Sequence, residues 1–157
     1  MSLAAPTSSV INGATLRVAI VAARYNEALV NALLERVVSG LGAAGVSRKN
    51  VTVVRVPGSH EVPAAVQLLA RPKAVDCVIG LGVLIGGDTR HHEMVGQSVS
   101  HALQRVALDT RVPVINGVIV ADTLPQARAR CTGKIDRGAE FARAALEMAA
   151  LKRKFSR

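Results

Sequence analysis

The stretch from Gly80 to Val95, GLGVLIGGDTRHHEMV, sets a Gly-Gly-Asp-Thr turn between an apolar run and two histidines that open an amphipathic segment. Backbone amides of such a turn, at the start of a helix, can face an anion with the helix dipole behind them. An imidazole beside them titrates near neutral pH and can carry protons. Gly87, Asp88 and Thr89 with His91 or His92 therefore suit chemistry on a phosphorylated small molecule. The turn also has a plain reading, in which Asp88 or Thr89 simply caps the helix. Neighbouring helical residues point about 100° apart, so only one histidine of the pair is expected to face a site.

Other polar and aromatic residues follow other apolar runs. Tyr25 offers a face on which a flat ring stacks, or else packs the rim, and Asn26 follows it. Glu61, after Ser59 and His60, can cap a helix or accept the hydroxyls of a polyol chain. Arg128, Arg130, Lys134 and Arg137 form a cationic cluster that is either a solvated face or a phosphate ligand. A metal centre is disfavoured, because His60 lies on a different loop from His91 and His92 and no carboxylate-histidine spacing completes a ligand set.

These residues need elements to hold them. Leu16 to Ala23 (LRVAIVAA) reads as a strand buried on both faces. From Glu27 the apolar residues take helical spacing, and Gly42 and Gly45 supply a stop. Val51 to Val56, Val75 to Ile85 and Val112 to Val120 are further strands. Helices are expected over Glu61 to Ala70, His92 to Leu108, Thr123 to about Arg130, and Asp136 to Lys154. Pro63 is tolerated in a first turn, Met94, Val95, Val99, Leu103 and Val106 share one face, and Phe141, Ala145, Leu146 and Ala149 turn inward. The alternation implies an α/β fold, a four-stranded parallel sheet with helices on both faces. Its functional edge is the carboxyl ends of the strands, where Arg24-Tyr25-Asn26, Gly58 to Glu61, Gly86 to His92 and Asn116 to Asp122 converge.

Composition narrows the class. The 157 residues suit one domain over 15–157, preceded by a flexible arm over 1–14. Tyr25, Phe141 and Phe155 are the only aromatics, so small and β-branched side chains must tile the core. A formal charge of +9 accommodates an anionic partner, but the basic residues are scattered and stacking platforms are lacking, which argues against nucleic acid. No apolar run approaches the length of about 18 residues that spans a bilayer. Cys77 and Cys131 lack metal or redox spacing, which fits a reduced cytoplasm.

Six segments in register resemble the lumazine synthase family: Tyr25-Asn26, VPGSHEVP at 56 to 63, LGVLIGGDTRHHEMV at 81 to 95, VPVINGVIV at 112 to 120, Gln126 to Arg130, and RGAEFARAALEMA at 137 to 149. The resemblance implies a flavodoxin-like three-layer subunit in a homopentamer or a larger shell of pentamers, with sites between neighbouring subunits. It implies condensation of 5-amino-6-ribitylamino-uracil with 3,4-dihydroxy-2-butanone 4-phosphate to 6,7-dimethyl-8-ribityllumazine, with loss of phosphate and water and without a metal or redox cofactor. By position, Tyr25 stacks on the pyrimidine beside Asn26, and the backbone of Val83, Leu84 and Ile85 bonds the ring. Ser59, His60 and Glu61 hold the ribityl chain. Gly87, Asp88 and Thr89 bind the phosphate with Arg130 of the adjacent subunit, and His91 is the acid/base histidine. Asn116 and Arg137 complete the substrate contacts. The chain departs from the family pattern with Gly86 for an arginine, His60 and Met94 at usually apolar or aromatic positions, and His92 for an aromatic. Asn116 stands for a common phenylalanine and Arg137 for a lysine, and the segment between Arg130 and Arg137 is one residue short. A paralogue that binds flavin or ribityl compounds without turnover is the alternative.

Overall fold

In a computed structural model describing residues 4–156, the continuous apolar runs become the inner strands of one sheet. Strands β1 (Val18–Ala23), β2 (Val51–Val56), β3 (Cys77–Ile85) and β4 (Val114–Ala121) are all parallel, in the order β2-β1-β3-β4. Helices α1 (Glu27–Ala43), α2 (Val62–Leu69), α3 (His91–Thr110), α4 (Leu124–Cys131) and α5 (Arg137–Phe155) alternate with them.

Side chains of a strand alternate between faces, so a strand covered on both sides must be apolar throughout. In β1, Val18, Ile20 and Ala22 pack with α1, α4 and α5, while Ala19, Val21 and Ala23 pack with α2 and α3. All six are buried. Leu33, Val37 and Leu41 of α1 meet Ala142, Ala145 and Ala149 of α5 in the first layer. Val62 and Val66 of α2 meet Val99, Leu103 and Val106 of α3 in the second. These layers are the α/β architecture expected from the alternating periods.

Element ends differ from the sequence reading for local reasons. β1 starts at Val18 instead of Leu16 because the Leu16 N–H donates to Gly13 O at 3.0 Å and the Arg17 N–H to Asp76 Oδ2 at 2.7 Å. β4 starts after Pro113, whose nitrogen has no proton for a ladder. Met94 leaves the apolar face proposed for it and is 64 % exposed, whereas Val95, Val99, Leu103 and Val106 are buried. Pro63 sits in the first turn of α2 and the Asp136 carboxylate caps α5 at Ala139 N, 3.1 Å. Residues 5–13 of the proposed arm hold no helix or strand, and residues 1–3 lie outside the described region.

The amino end of the sheet is tied by one buried carboxylate. Asp76, 1 % exposed, accepts from Arg153 Nε at 2.8 Å, Arg153 Nη2 at 2.9 Å and the Arg17 N–H, with Lys152 Nζ at 3.8 Å. Burial pushes its acidity down, but the Arg153 and Arg17 hydrogen bonds and the charges of Arg153 and Lys152 outweigh it and hold the carboxyl below its ordinary value.

Candidate active site

At the carboxyl end of the sheet, the chain leaves β1 through Arg24-Tyr25 and turns sharply at Asn26, whose φ of 55° lies in the left-handed region that asparagine tolerates. The Asn26 amide donates to Val83 O at 2.8 Å, which locks the β1 exit to the end of β3. Tyr25 is left 74 % exposed, with its ring available.

The exit of β2 forms a 3-10 turn over Ser59–Glu61, and Glu61 Oε2 accepts the Gly58 N–H at 2.9 Å. One carboxylate oxygen of Glu61 therefore serves the turn. Ser59 is buried and its Oγ has no hydrogen-bond partner. A Cβ on Gly82 would lie 2.3 Å from that Oγ, so the glycine in β3 is what lets the serine approach the strand.

Beyond β3 the turn through Gly87, Asp88 and Thr89 leads into α3. All three residues are exposed. The residue preceding the helix is Arg90, and no side chain caps α3, so neither Asp88 nor Thr89 takes the capping role open to it. The first amides of a helix without a side-chain cap are donors for an anion.

These exits enclose a cavity of about 740 Å³. Tyr25 and Asn26 line it from β1, Ser59, His60 and Glu61 from β2, and Val83, Leu84 and Ile85 from β3. Gly87, Thr89, His91 and His92 complete it from the turn and α3, joined by the exposed Met94. Both histidines border the cavity, where only one was expected, but they differ in setting. His91 is exposed, whereas the His92 side chain is 9 % exposed and turns toward Asp122, with Nε2 3.2 Å from Oδ1.

Four proposed residues are not in the cavity lining. Asp88 is on the exposed turn. Arg130 donates to Gln126 O at 3.0 Å within α4, Arg137 pairs with Glu140 at 2.6 Å over the Phe141 ring, and the Asn116 side chain accepts the Val118 N–H at 3.1 Å. A single chain thus gathers most of the residues expected to contact pyrimidine, ribityl chain and phosphate, and leaves Arg130, Arg137 and Asn116 apart. Cys131 follows Arg130, but burial, opposed by Arg36 and Arg130, raises its thiol to about 11, which excludes a thiolate nucleophile at neutral pH.

A second hollow of about 710 Å³ lies between the carboxyl ends of α3 and α5. Leu108, Met148, Leu151 and Phe155 line it, and it contains no histidine or carboxylate. The carboxyl-end cavity is the one with converging polar groups and an open helix terminus, which is the signature of a binding site.

Residues 15–153 match the family model described as 6,7-dimethyl-8-ribityllumazine synthase. The chain belongs to the lumazine synthase family. It is 41 % identical over 141 residues to the 6,7-dimethyl-8-ribityllumazine synthase of Polaromonas sp., covering 90 % of each chain. It is 44 % identical over 137 residues to that of Aquifex aeolicus, covering 87 % of this chain and 89 % of the relative. To that of Paracidovorax citrulli it is 42 % identical over 145 residues, 92 % of each. The fold is accordingly the α/β, flavodoxin-like fold of lumazine synthases.

Two features of this cavity and its rim were not read from the sequence. The His92–Asp122 contact joins residues 30 apart, and only the strand order shows that they meet. With Glu93 they bring three ligand-type atoms within 4.8 Å of one another, a grouping that sequence spacing did not reveal. A metal-bound histidine usually donates its second ring nitrogen to a partner. Nδ1 of His92 is buried without one, so the group reads as a hydrogen-bonded pair beside a free carboxylate. The other missed feature is the burial of Ser59, which the loop-like GSHE sequence hid.

Proposed function

We propose that this chain condenses 5-amino-6-ribitylamino-uracil with 3,4-dihydroxy-2-butanone 4-phosphate to 6,7-dimethyl-8-ribityllumazine, releasing phosphate and water, at the cavity on the carboxyl end of the sheet. The observation that carries this reading is the convergence on one 740 Å³ cavity of an exposed aromatic ring, a buried unpaired hydroxyl, an imidazole and a helix terminus with no side-chain cap. Family membership selects the reaction among those such a cavity could host.

In this reading Tyr25 stacks on the pyrimidine, Asn26 holds the β3 rim in place, and the Val83 to Ile85 backbone bonds the ring edge. The unpaired Ser59 Oγ takes a ribityl hydroxyl together with His60 and the remaining oxygen of Glu61. The α3 terminus, with Gly87, Asp88 and Thr89, receives the phosphate, whose charge the helix dipole favours. His91 moves protons during Schiff-base formation, phosphate elimination and ring closure. A fixed cationic and amide environment stabilises the phosphate as it leaves. Holding two substrates in register supplies much of the remaining acceleration.

Arg130, Arg137 and Asn116, apart from the cavity within one chain, enter a neighbouring subunit's site in a homopentamer or an assembly of pentamers. One domain, preceded by an N-terminal arm without helix or strand over residues 5–13, builds each subunit, working in the cytoplasm with no metal or redox cofactor. Among the described residues no helix is long and apolar enough to cross a membrane. Incubating the protein with both substrates tests the reaction. Lumazine absorbance and inorganic phosphate should rise one for one and require both substrates. Tight riboflavin binding without product would instead identify a non-catalytic ribityl-binding protein.

A further inference from the structure

At the junction of α3 with the segment that follows β4, four neighbouring details act on the same two side chains. His92, the second residue of α3, lies 3.2 Å by Nε2 from Asp122 Oδ1. A carboxylate only accepts, so Nε2 is the donor of this contact and Nδ1 is the ring's other polar atom. That Nδ1 is buried without a partner, so the ring is held by a single polar contact. Asp122 is fixed in turn, because its N–H donates to Gln126 Oε1 at 2.8 Å and Gln126 belongs to the reciprocal cap with Thr123 that starts α4.

Gly86 brings the two segments within reach. Its N–H donates to Ala121 O at 2.8 Å, which extends the β3–β4 ladder one residue past β3. A Cβ at Gly86 would stand 2.4 Å from Asp122 O, so any other residue would push the Asp122 segment away. The two unusual residues, Gly86 and His92, therefore meet at one aspartate.

We propose that His92 is a positioning residue for the phosphate site, acting through its hydrogen bond to Asp122. The bond ties the first turn of α3, which the Gly87–Arg90 turn leads into, to the segment that opens α4, the helix that carries Arg130 in its last turn. This rests on the reading above, in which both elements serve phosphate. In that reading α3 serves its own subunit's cavity and Arg130 an adjacent one, so the tie fixes the relation between consecutive sites within one rigid chain. An aromatic ring in place of His92 could fill the same space but could not reach Asp122 with a polar atom.

The test compares His92→Phe, Asp122→Ala, Asp122→Asn and the His92→Phe/Asp122→Ala double variant. Each is assayed for KM of both substrates, for affinity for inorganic phosphate by calorimetry, and for melting temperature. Long-range proton–nitrogen spectra of the wild-type imidazoles should show one ring protonated at Nε2, and that signal should move in Asp122→Ala. His92→Phe and Asp122→Ala should each weaken inorganic phosphate and raise the butanone phosphate KM about three- to tenfold while leaving the pyrimidine KM unchanged. Asp122→Asn keeps an acceptor and should restore most of the loss, and the double variant should be no worse than either single one. A general loss of packing would lower the melting temperature and move both KM values together. Unchanged phosphate affinity, equal shifts of both substrates, additive effects, or no recovery in Asp122→Asn would overturn the proposal. If the wild type binds phosphate but makes no lumazine, the reaction assignment fails, while the calorimetry and spectra still decide the tie.

Discussion

The two ends of the sheet treat their buried polar groups in opposite ways. At the amino end the carboxylate of Asp76 is surrounded by Arg153, the Arg17 N–H and Lys152. At the carboxyl end, Ser59 Oγ, His92 Nδ1 and Arg55 Nε are buried without hydrogen-bond partners, and α3 begins without a side-chain cap. Buried polar groups are normally paired, and leaving one unpaired costs free energy comparable to a lost hydrogen bond. Among the described residues the unpaired buried side-chain atoms gather at this end, and in the proposed reading substrate groups complete the bonding of Ser59 Oγ and of the α3 terminus. The amino end closes the fold and the carboxyl end keeps capacity for substrate.

The largest effect on that contrast should come from Asp76→Ala. It leaves the Arg17 N–H without its acceptor and takes the buried carboxylate from Arg153 and Lys152, whose remaining bonds are to Thr15 and Pro72, and losing a buried ion-pair partner costs about 3 kcal/mol. Thermal unfolding should shift down by about 6–12 °C, while lumazine formation by the folded fraction stays intact. The same group sets an acid limit. Its folded-state pKa lies below the ordinary value of 3.8, so its contribution is full above about pH 4 and disappears as pH falls through the lower folded value. Denaturant titrations from pH 6 down to pH 2 should show that loss in the wild type and a flatter curve in Asp76→Ala.

At the other end His91→Ala should slow turnover about 100-fold, the lower bound for a positioned acid/base group, with the melting temperature nearly unchanged because His91 is exposed. Thr89→Val removes a hydroxyl beside the open helix terminus and should raise the butanone phosphate KM about tenfold, the scale of one hydrogen bond to a charged group. Steady-state kinetics with the pyrimidine saturating reads this directly. The smallest effect is expected from Ser59→Ala. It deletes a hydroxyl that the free protein leaves unpaired, so stability should change by less than about 1 kcal/mol while the pyrimidine KM rises about fivefold. A large loss of stability in Ser59→Ala would show that the hydroxyl is already satisfied and would break the contrast.

Much of this organisation was legible in the chain. The uninterrupted apolar runs of β1 and β3 announced strands covered on both faces, and the polar segments after the strands fell at one edge once the sheet was known to be parallel. Tyr25, Ser59 to Glu61, Gly87, Thr89 and the His91–His92 pair could be named from that rule, the choice of His91 came from the family resemblance, and the cavity gathers them all. What stayed hidden depends on which strands are neighbours. Asp76 and Arg153 are 77 residues apart, and Arg153 reads locally as one of several basic residues favoured by the helix dipole. His92 and Asp122 come together only because β3 lies beside β4 and Gly86 permits close approach. Periodicity gives the face of an element but not its partner, so long-range polar pairs escape it while apolar layers do not.

The most direct measurement is a side-by-side assay of lumazine formation by the wild type, His91→Ala and Asp76→Ala at a temperature where all three are folded. The wild type and Asp76→Ala should form lumazine and phosphate at the same rate, with His91→Ala about 100-fold slower. Equal rates for all three, or a folded Asp76→Ala protein as slow as His91→Ala, would contradict the division of the molecule into a closed structural end and an open catalytic one.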